Sequence, residues 1–242
     1  MDKDKKLGTT NKISLINTFI FASMLSYTEE NYLKSLYRIT HESENVNEAG
    51  TNQLASHLGV KPASVNGMLK KLKSKKLIEY EKYGKIKLTQ KGIRSGVEVL
   101  RKHRLWETFL YSKLEFSWDE VHEVAEQLEH IKSIKLIEKL DKFLDYPEFD
   151  PHGDVIPNAK GEIKHKYTIT LADIDSGKKC KMKAVKDNSK AFLQYVIQVG
   201  LAINSSIKVV SINSFDDLIT IEVNKVKSIV SKKFADNIYV EF

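Results

Sequence analysis

The stretch TNQLASHLGVKPASVNGMLKKLKS, residues 51–74, decides the fold. Thr51 is placed to cap a short helix whose Leu54, Ala55 and Leu58 turn inward. Gly59 stands where a left-handed C′ residue ends such a helix. Pro62 then falls in the first turn of a new helix, where its missing N–H costs little. Val65, Leu69 and Leu72 recur at i, i+4 and i+7 and form one buried stripe. Ser64, Asn66, Gly67, Lys70, Lys71 and Lys73 are left on the outer face.

Upstream, Thr28 reads as the cap of a helix over 29–41, with Tyr32, Leu33, Leu36, Tyr37 and Ile39 on its buried side. Downstream, 77–82 and 85–89 read as two short strands around Tyr83-Gly84, with Ile78, Tyr80, Ile86 and Leu88 in alternation. Three helices followed by a basic hairpin is the winged helix-turn-helix order. In it, the second and third helices place a recognition helix in the major groove.

Charge points the same way. The whole chain carries a net +7, yet residues 61–91 hold ten lysines against Glu79 and Glu81, a net +8. The basicity therefore belongs to one segment and reads as a nucleic-acid footprint, with double-stranded DNA as the partner. A lysine-rich solubilising surface, or a winged helix serving only protein contacts, remains the alternative at this point. Lys61, Lys70, Lys71, Lys82 and Lys85 are the candidates for phosphate, and Ser64, Asn66 and Gly67 for base edges.

Beyond the hairpin, Thr89 is placed to cap a long helix to about residue 113, carrying Ile93, Val97, Leu100, Leu105, Phe109 and Leu110. The next helix begins near Trp118-Asp119 and includes VHEVAEQLEH, residues 121–130. His122, Glu126, Glu129 and His130 lie at i, i+4, i+7 and i+8, within an arc of about 100° at helical periodicity. Val121, Val124, Ala125, Leu128 and Ile131 occupy a different arc. Clustered carboxylates repel unless a cation sits among them, and imidazole with carboxylate suits Mn²⁺, Fe²⁺ or Zn²⁺. His103 and Glu107 form a second i, i+4 pair on the preceding helix. A solvated polar face is the bland alternative for both sets. A third helical segment, 134–144, adds apolar surface that a second copy of the chain would cover, giving a twofold dimer.

Pro147, Pro151 and Pro157 with Gly153 and Gly161 mark a linker. After it, 167–171, 180–185, 207–212, 218–223 and 237–242 read as strands, with a helix over 190–200 among them: a small five-stranded barrel. The expected domains are a flexible extension 1–23, a DNA-binding domain 24–93, a helical domain with linker 94–164 and a barrel 165–242. The extension contains an apolar run too short and too polar to span a bilayer, and Met24 stands as an alternative start. A single cysteine, Cys180, excludes an internal disulfide and cysteine-rich zinc modules and fits a cytoplasmic address. No Walker, dinucleotide-glycine, nucleophile-elbow or zincin motif is present, and no residue is assigned as a base or nucleophile, so a non-enzyme is expected.

These residues resemble the iron- and manganese-dependent repressors of the diphtheria toxin repressor and manganese transport regulator type, from about Tyr27 to the C-terminus. The resemblance rests on TEENYL (28–33), the winged helix, RKHRL (101–105), the 121–130 run and DPHGDVIP (150–157). It implies a mainly α protein with an N-terminal winged helix, a helical metal-binding and dimerisation domain and a C-terminal SH3-like, FeoA-type barrel. It implies a primary metal site of Glu126, Glu129 and His130 with Asn31 from the first helix, and an ancillary site of His103, Glu107 and His122 with Asp187 from the barrel. Glu126 stands where iron-type members carry a cysteine, and a hard carboxylate there favours Mn²⁺ over Fe²⁺. Lys34 stands where short manganese regulators carry a glutamate ligand, so their closely spaced metal pair is not expected. The function implied is repression of metal-uptake genes by a homodimer on operator DNA, with Mn²⁺, or alternatively Fe²⁺, as corepressor. A winged-helix regulator answering to an organic ligand is the rival.

Overall fold

The computed structural model describes residues 25–42, 47–81, 84–163 and 167–242. The expected extension 1–23 and the candidate Lys82 lie outside them. The chain divides into two compact units, 1–96 and 97–242.

In the first unit, α1 spans Tyr27–Tyr37. Its cap is Ser26 and not Thr28, which sits inside the helix. The reason is local chemistry. Ser26 Oγ accepts from Glu29 N at 3.3 Å while Glu29 Oε2 accepts from Ser26 N at 2.8 Å, a reciprocal box. A cap at Thr28 would place Asn31 at the third helical position, where a capping box calls for Glu or Gln. After Tyr37 the helix widens into a π turn, Arg38–Glu42.

Helix α2, Thr51–Leu58, is preceded by Gly50 as cap, so Thr51 is its first residue and not its cap. Gly59 closes α2 with φ +64°, the left-handed geometry that glycine adopts without Cβ strain. Helix α3, Pro62–Ser74, begins with proline at its first position. Strands β1 (Ile78–Tyr80) and β2 (Ile86–Leu88) pair antiparallel, Ile78 with Leu88 and Tyr80 with Ile86. Leu33, Leu36, Leu54, Val65, Leu69, Leu72, Leu77 and Ile86 are fully buried together as one core. Helix α4, Gln90–Leu114, starts where the Thr89 hydroxyl accepts from Gly92 N at 3.1 Å.

The second unit contains most of α4, α5 (Val121–Leu128), α6 (Ile134–Phe143) and a sheet. Leu105, Trp106, Leu110, Val121, Ala125, Ile137, Leu140 and Ile156 form the helical core. The sheet comprises β3 (Lys179–Val185), β4 (Ser206–Ile212), β5 (Ile219–Val223), β6 (Val226–Val230) and β7 (Ile238–Glu241), in the order β6-β5-β4-β3-β7. All its pairings are antiparallel. Helix α7, Lys190–Gln198, follows β3, and α8, Lys232–Ala235, precedes β7.

One expected strand is absent and another was not anticipated. Residues 167–171 are irregular apart from an isolated bridge between Thr170 and Tyr239. Asp173 Oδ2 accepts from both Thr170 N and Thr170 Oγ at 2.8 Å, which turns the backbone into a short 3₁₀ helix, Leu171–Asp173. The unanticipated strand is β6. It sits at the sheet edge, pairs only with β5 and is largely exposed, so it carries little hydrophobic signal. A two-residue turn at Asn224-Lys225, both with positive φ, joins it to β5.

The connection from α6 to the sheet is tightly seated. Gly153 has φ +84°, and a Cβ there would lie 1.9 Å from the Lys183 carbonyl oxygen. Val185 N donates to His152 O at 3.0 Å, and Trp118 Nε1 donates to Pro151 O at 2.9 Å.

Candidate metal centre

Helix α4 presents His103 and Glu107 one turn apart, and α5 presents His122 and Glu126 in the same spacing. Glu129 follows as the C-cap of α5, and His130 lies just beyond the helix. The expected single helix through Ile131 therefore stops at Leu128, and the last two predicted ligands lie outside it.

Side chains from these elements converge. His103 Nε2 is 2.9 Å from Glu107 Oε1, and His122 Nδ1 is 3.1 Å from the same oxygen. The other face of the His103 ring is also engaged, its Nδ1 lying 2.7 Å from Glu129 Oε2 and 3.9 Å from Glu126 Oε1. His122 Nε2 lies 3.5 Å from Glu126 Oε1. Among the described residues, three groups place donor atoms within 4.8 Å of one another: His103, Glu107 and His122; His103, Glu126 and Glu129; and Glu107, Asp150 and His152. His103 and Glu107 each belong to two groups, so the donors form a connected chain across α4.

Three other predicted residues are not members of these groups. His130 is buried with Nε2 3.7 Å from Glu129 Oε1. Asp187 Oδ1 accepts from Ser189 N at 2.8 Å, ahead of α7. Asn31 is on α1, in the first unit.

Asp150 and His152 belong to the DPHGDVIP motif, where no helical spacing marks them as donors. Asp150 Oδ1 holds the turn by accepting from His152 N at 2.8 Å and Asp154 N at 3.0 Å. His152 Nε2 donates to Trp118 O at 3.0 Å. That bond puts a proton on Nε2 and leaves Nδ1 on the Glu107 side of the ring, 3.7 Å from Glu107 Oε2. Asp150 Oδ2 and His152 Nδ1 are buried without a hydrogen-bond partner. Unsatisfied buried donors and acceptors are costly, so orphaned atoms facing carboxylates fit a cation's coordination shell. Arg104 flanks the turn, with Nε 3.6 Å from Asp150 Oδ2 and one amino group donating to Val155 O at 2.7 Å.

The electrostatics follow from burial and neighbours. Burial pushes the Glu107 carboxyl up, but His103, His122 and His152 outweigh it and hold it well below the usual carboxylate range. Burial with the charges of Asp154 and Glu107 pushes Asp150 well above that range. Burial opposes charge on His152, yet Glu107 and Asp150 push its imidazole up to about 9. The donors are imidazole and carboxylate throughout. Cys180 is buried in the sheet core, its thiol pushed up to about 11 by burial, and takes no part. Such a set suits Mn²⁺ or Fe²⁺.

In the first unit, Lys61, Ser64, Asn66, Gly67, Lys70, Lys71 and Lys85 are all exposed. A Cβ added at Gly67 would meet nothing within 4 Å, so the helix surface is open there. Lys71 and Lys75, in the last turn of α3 and at its C-cap, approach the buried Glu29 carboxylate at 3.4 and 2.8 Å.

Residues 24–86 match the family described as iron dependent repressor, N-terminal DNA binding domain. Residues 89–158 match the iron dependent repressor metal binding and dimerisation domain, and 169–242 match the FeoA domain. The chain is similar to a solved manganese-dependent transcriptional repressor in complex with manganese (29% identity, TM-score 0.79, covering 88% of this chain and 98% of that one). It is similar also to the solved manganese regulator SloR (33% identity, TM-score 0.73, covering 88% and 97%). A probable metal transport system membrane protein of Chlamydia pneumoniae is 49% identical over 77 residues, 32% of this chain. The match spans only 17% of that relative's length. The winged helix, the helical donor-bearing region and the FeoA sheet thus occur here in the same order and fold as in these regulators, and the chain belongs to the iron- and manganese-dependent repressor family, of the diphtheria toxin repressor and manganese transport regulator type.

Proposed function

We propose that this chain is a metal-dependent transcriptional repressor that binds operator DNA as a homodimer in the cytoplasm, with Mn²⁺ as its corepressor and Fe²⁺ as the other metal its donors accept. The observation that carries this reading is the connected set of buried and half-buried imidazoles and carboxylates in a chain that also holds a winged helix segment with a local net charge of +8. A bound divalent cation supplies positive charge that offsets the mutual repulsion of Glu107, Glu126, Glu129 and Asp150. Glu126, in place of a thiolate, favours the harder Mn²⁺. The chlamydial relative's name fits control of metal uptake.

The protein's part is linkage. His103 and Glu107 on α4 hold the donors of α5 and of the 150–154 turn in one arrangement. Asn31 and His130 complete the Glu126 and Glu129 group, and Asp187 the His103, Glu107 and His122 group, as the family resemblance implies. Asn31 makes the position of α1, and with it the winged helix, depend on occupancy. Lys61, Lys70, Lys71, Lys82 and Lys85 meet phosphate, while Ser64, Asn66 and Gly67 meet base edges. A coupling of about 1.4 kcal/mol, tenfold in affinity, is the least that such a switch requires. Fluorescence anisotropy on DNA upstream of the chain's own gene tests it. Removing metal with a chelator should weaken binding at least tenfold, and Mn²⁺ should restore it. Equal binding in both conditions refutes metal control.

A further inference from the structure

Asn66 lies on the exposed face of α3, between the buried Val65 and the open Gly67. Its side chain is not free to turn. The Tyr80 hydroxyl donates to Asn66 Oδ1 at 3.1 Å. Tyr80 is the last residue of β1, 8% exposed and part of the core of the first unit, so its ring is a fixed post. Its backbone is held as well, because Lys73 Nζ donates to Tyr80 O at 2.6 Å. The wing strand therefore grips the recognition helix at two points, and one of them is the amide best placed to meet a base.

An unrestrained asparagine reads adenine by donating to N7 and accepting from the N6 amino group. That pose needs the amide oxygen turned toward the base. Here the oxygen accepts from Tyr80, which leaves Nδ2 as the amide's donor on the exposed helix face. A donor-only edge matches acceptor-only edges in the major groove: guanine N7 and O6, or thymine O4. We infer that Tyr80 is a positioning residue for DNA readout, orienting Asn66 so that it selects guanine or thymine over adenine at one position in each half-site. This rests on the DNA-binding reading proposed above.

The test is selection from a randomised duplex library by the full-length protein with Mn²⁺ present, comparing wild type, Asn66→Ala, Tyr80→Phe and Asn66→Asp. Tyr80→Phe removes one oxygen and leaves the ring in place. Asn66→Ala identifies the position that residue 66 reads. At that position the wild type should prefer guanine or thymine, and Tyr80→Phe should reduce the preference over adenine about fivefold, the scale of one hydrogen bond. Other positions, the salt dependence and Mn²⁺ affinity should be unchanged, and the melting temperature should fall by no more than the few degrees one hydrogen bond accounts for, which a merely structural role would not predict. Asn66→Asp keeps an acceptor for Tyr80 and offers no outward donor, so the preference should move to the cytosine N4 amino group. Identical preferences in wild type and Tyr80→Phe overturn the inference, as does a wild-type preference for adenine at that position. Enrichment that is the same with and without Mn²⁺ overturns metal control but leaves the base comparison readable. No enriched sequence under either condition overturns both.

Discussion

Replacing Glu29 tests how the first helix is locked to the recognition helix. The Glu29 side chain is 1% exposed, with Lys75 Nζ at 2.8 Å and Lys71 Nζ at 3.4 Å, while those lysine side chains are 27% and 52% exposed. Glu29→Ala breaks the capping box, which costs about 1 kcal/mol. It also removes a buried ion pair, whose loss costs about 3–5 kcal/mol when the remaining charge stays buried. Both lysines can turn to water, so the lower part of that range is the ceiling, and about 3 kcal/mol in all is expected. For a domain of this size that lowers the first unit's melting transition by roughly 12 °C or more. Glu29→Gln keeps shape and an acceptor and should lose about half as much, because hydrogen bonds to charged groups are about twice as strong as neutral ones.

The pH dependence separates charge from shape. Burial pushes the Glu29 carboxyl up, but Lys75, the Ser26 N–H and Lys71 outweigh it and hold it below its usual value. A depressed carboxyl contributes stability above its unfolded pKa, about 4.3, and loses it as pH falls through the lower folded value. Calorimetry on the full chain should therefore show the gap between wild type and Glu29→Gln at pH 7, narrowing below about pH 5. A gap that stays constant to pH 3, or no gap at neutral pH, refutes the argument that charge at Glu29 holds α1 to α3.

Gly153→Ala should destabilise the second unit by at least about 3 kcal/mol, since the new Cβ would overlap the Lys183 carbonyl at a left-handed backbone angle, and thermal unfolding reads it directly. Replacing Lys70 and Lys85 together with alanine should weaken binding to operator and random DNA alike and flatten the salt slope by up to about 2, as salt titrations on both DNAs will measure. His103→Ala should abolish the metal response because His103 belongs to two donor groups, whereas Asp187→Ala should weaken Mn²⁺ binding only several-fold in calorimetry; the reverse ranking would show that the shared histidine is not the centre of the site.

Much of this protein is legible in local sequence. Gly59, Pro62 and the Val65, Leu69, Leu72 stripe act within a turn or two of backbone, so the helix-turn-helix could be read directly. The i, i+4 spacing likewise put His103 with Glu107 and His122 with Glu126 on common helix faces. Competing local signals were harder. Ser26 displaced Thr28 as cap because Glu29 could return its hydrogen bond, and Thr170 with Asp173 turned an apolar run away from strand. Edge strand β6 gave no burial pattern because most of its residues are exposed. The connectivity of the donors was decided by tertiary structure alone. His103 reaches Glu129 across 26 residues, and Glu107 faces His152 from a turn whose position depends on Gly153 fitting against β3. A helical period relates residues on one helix. Which ring nitrogen meets which carboxylate depends on how separate elements pack, and no spacing along the chain encodes that.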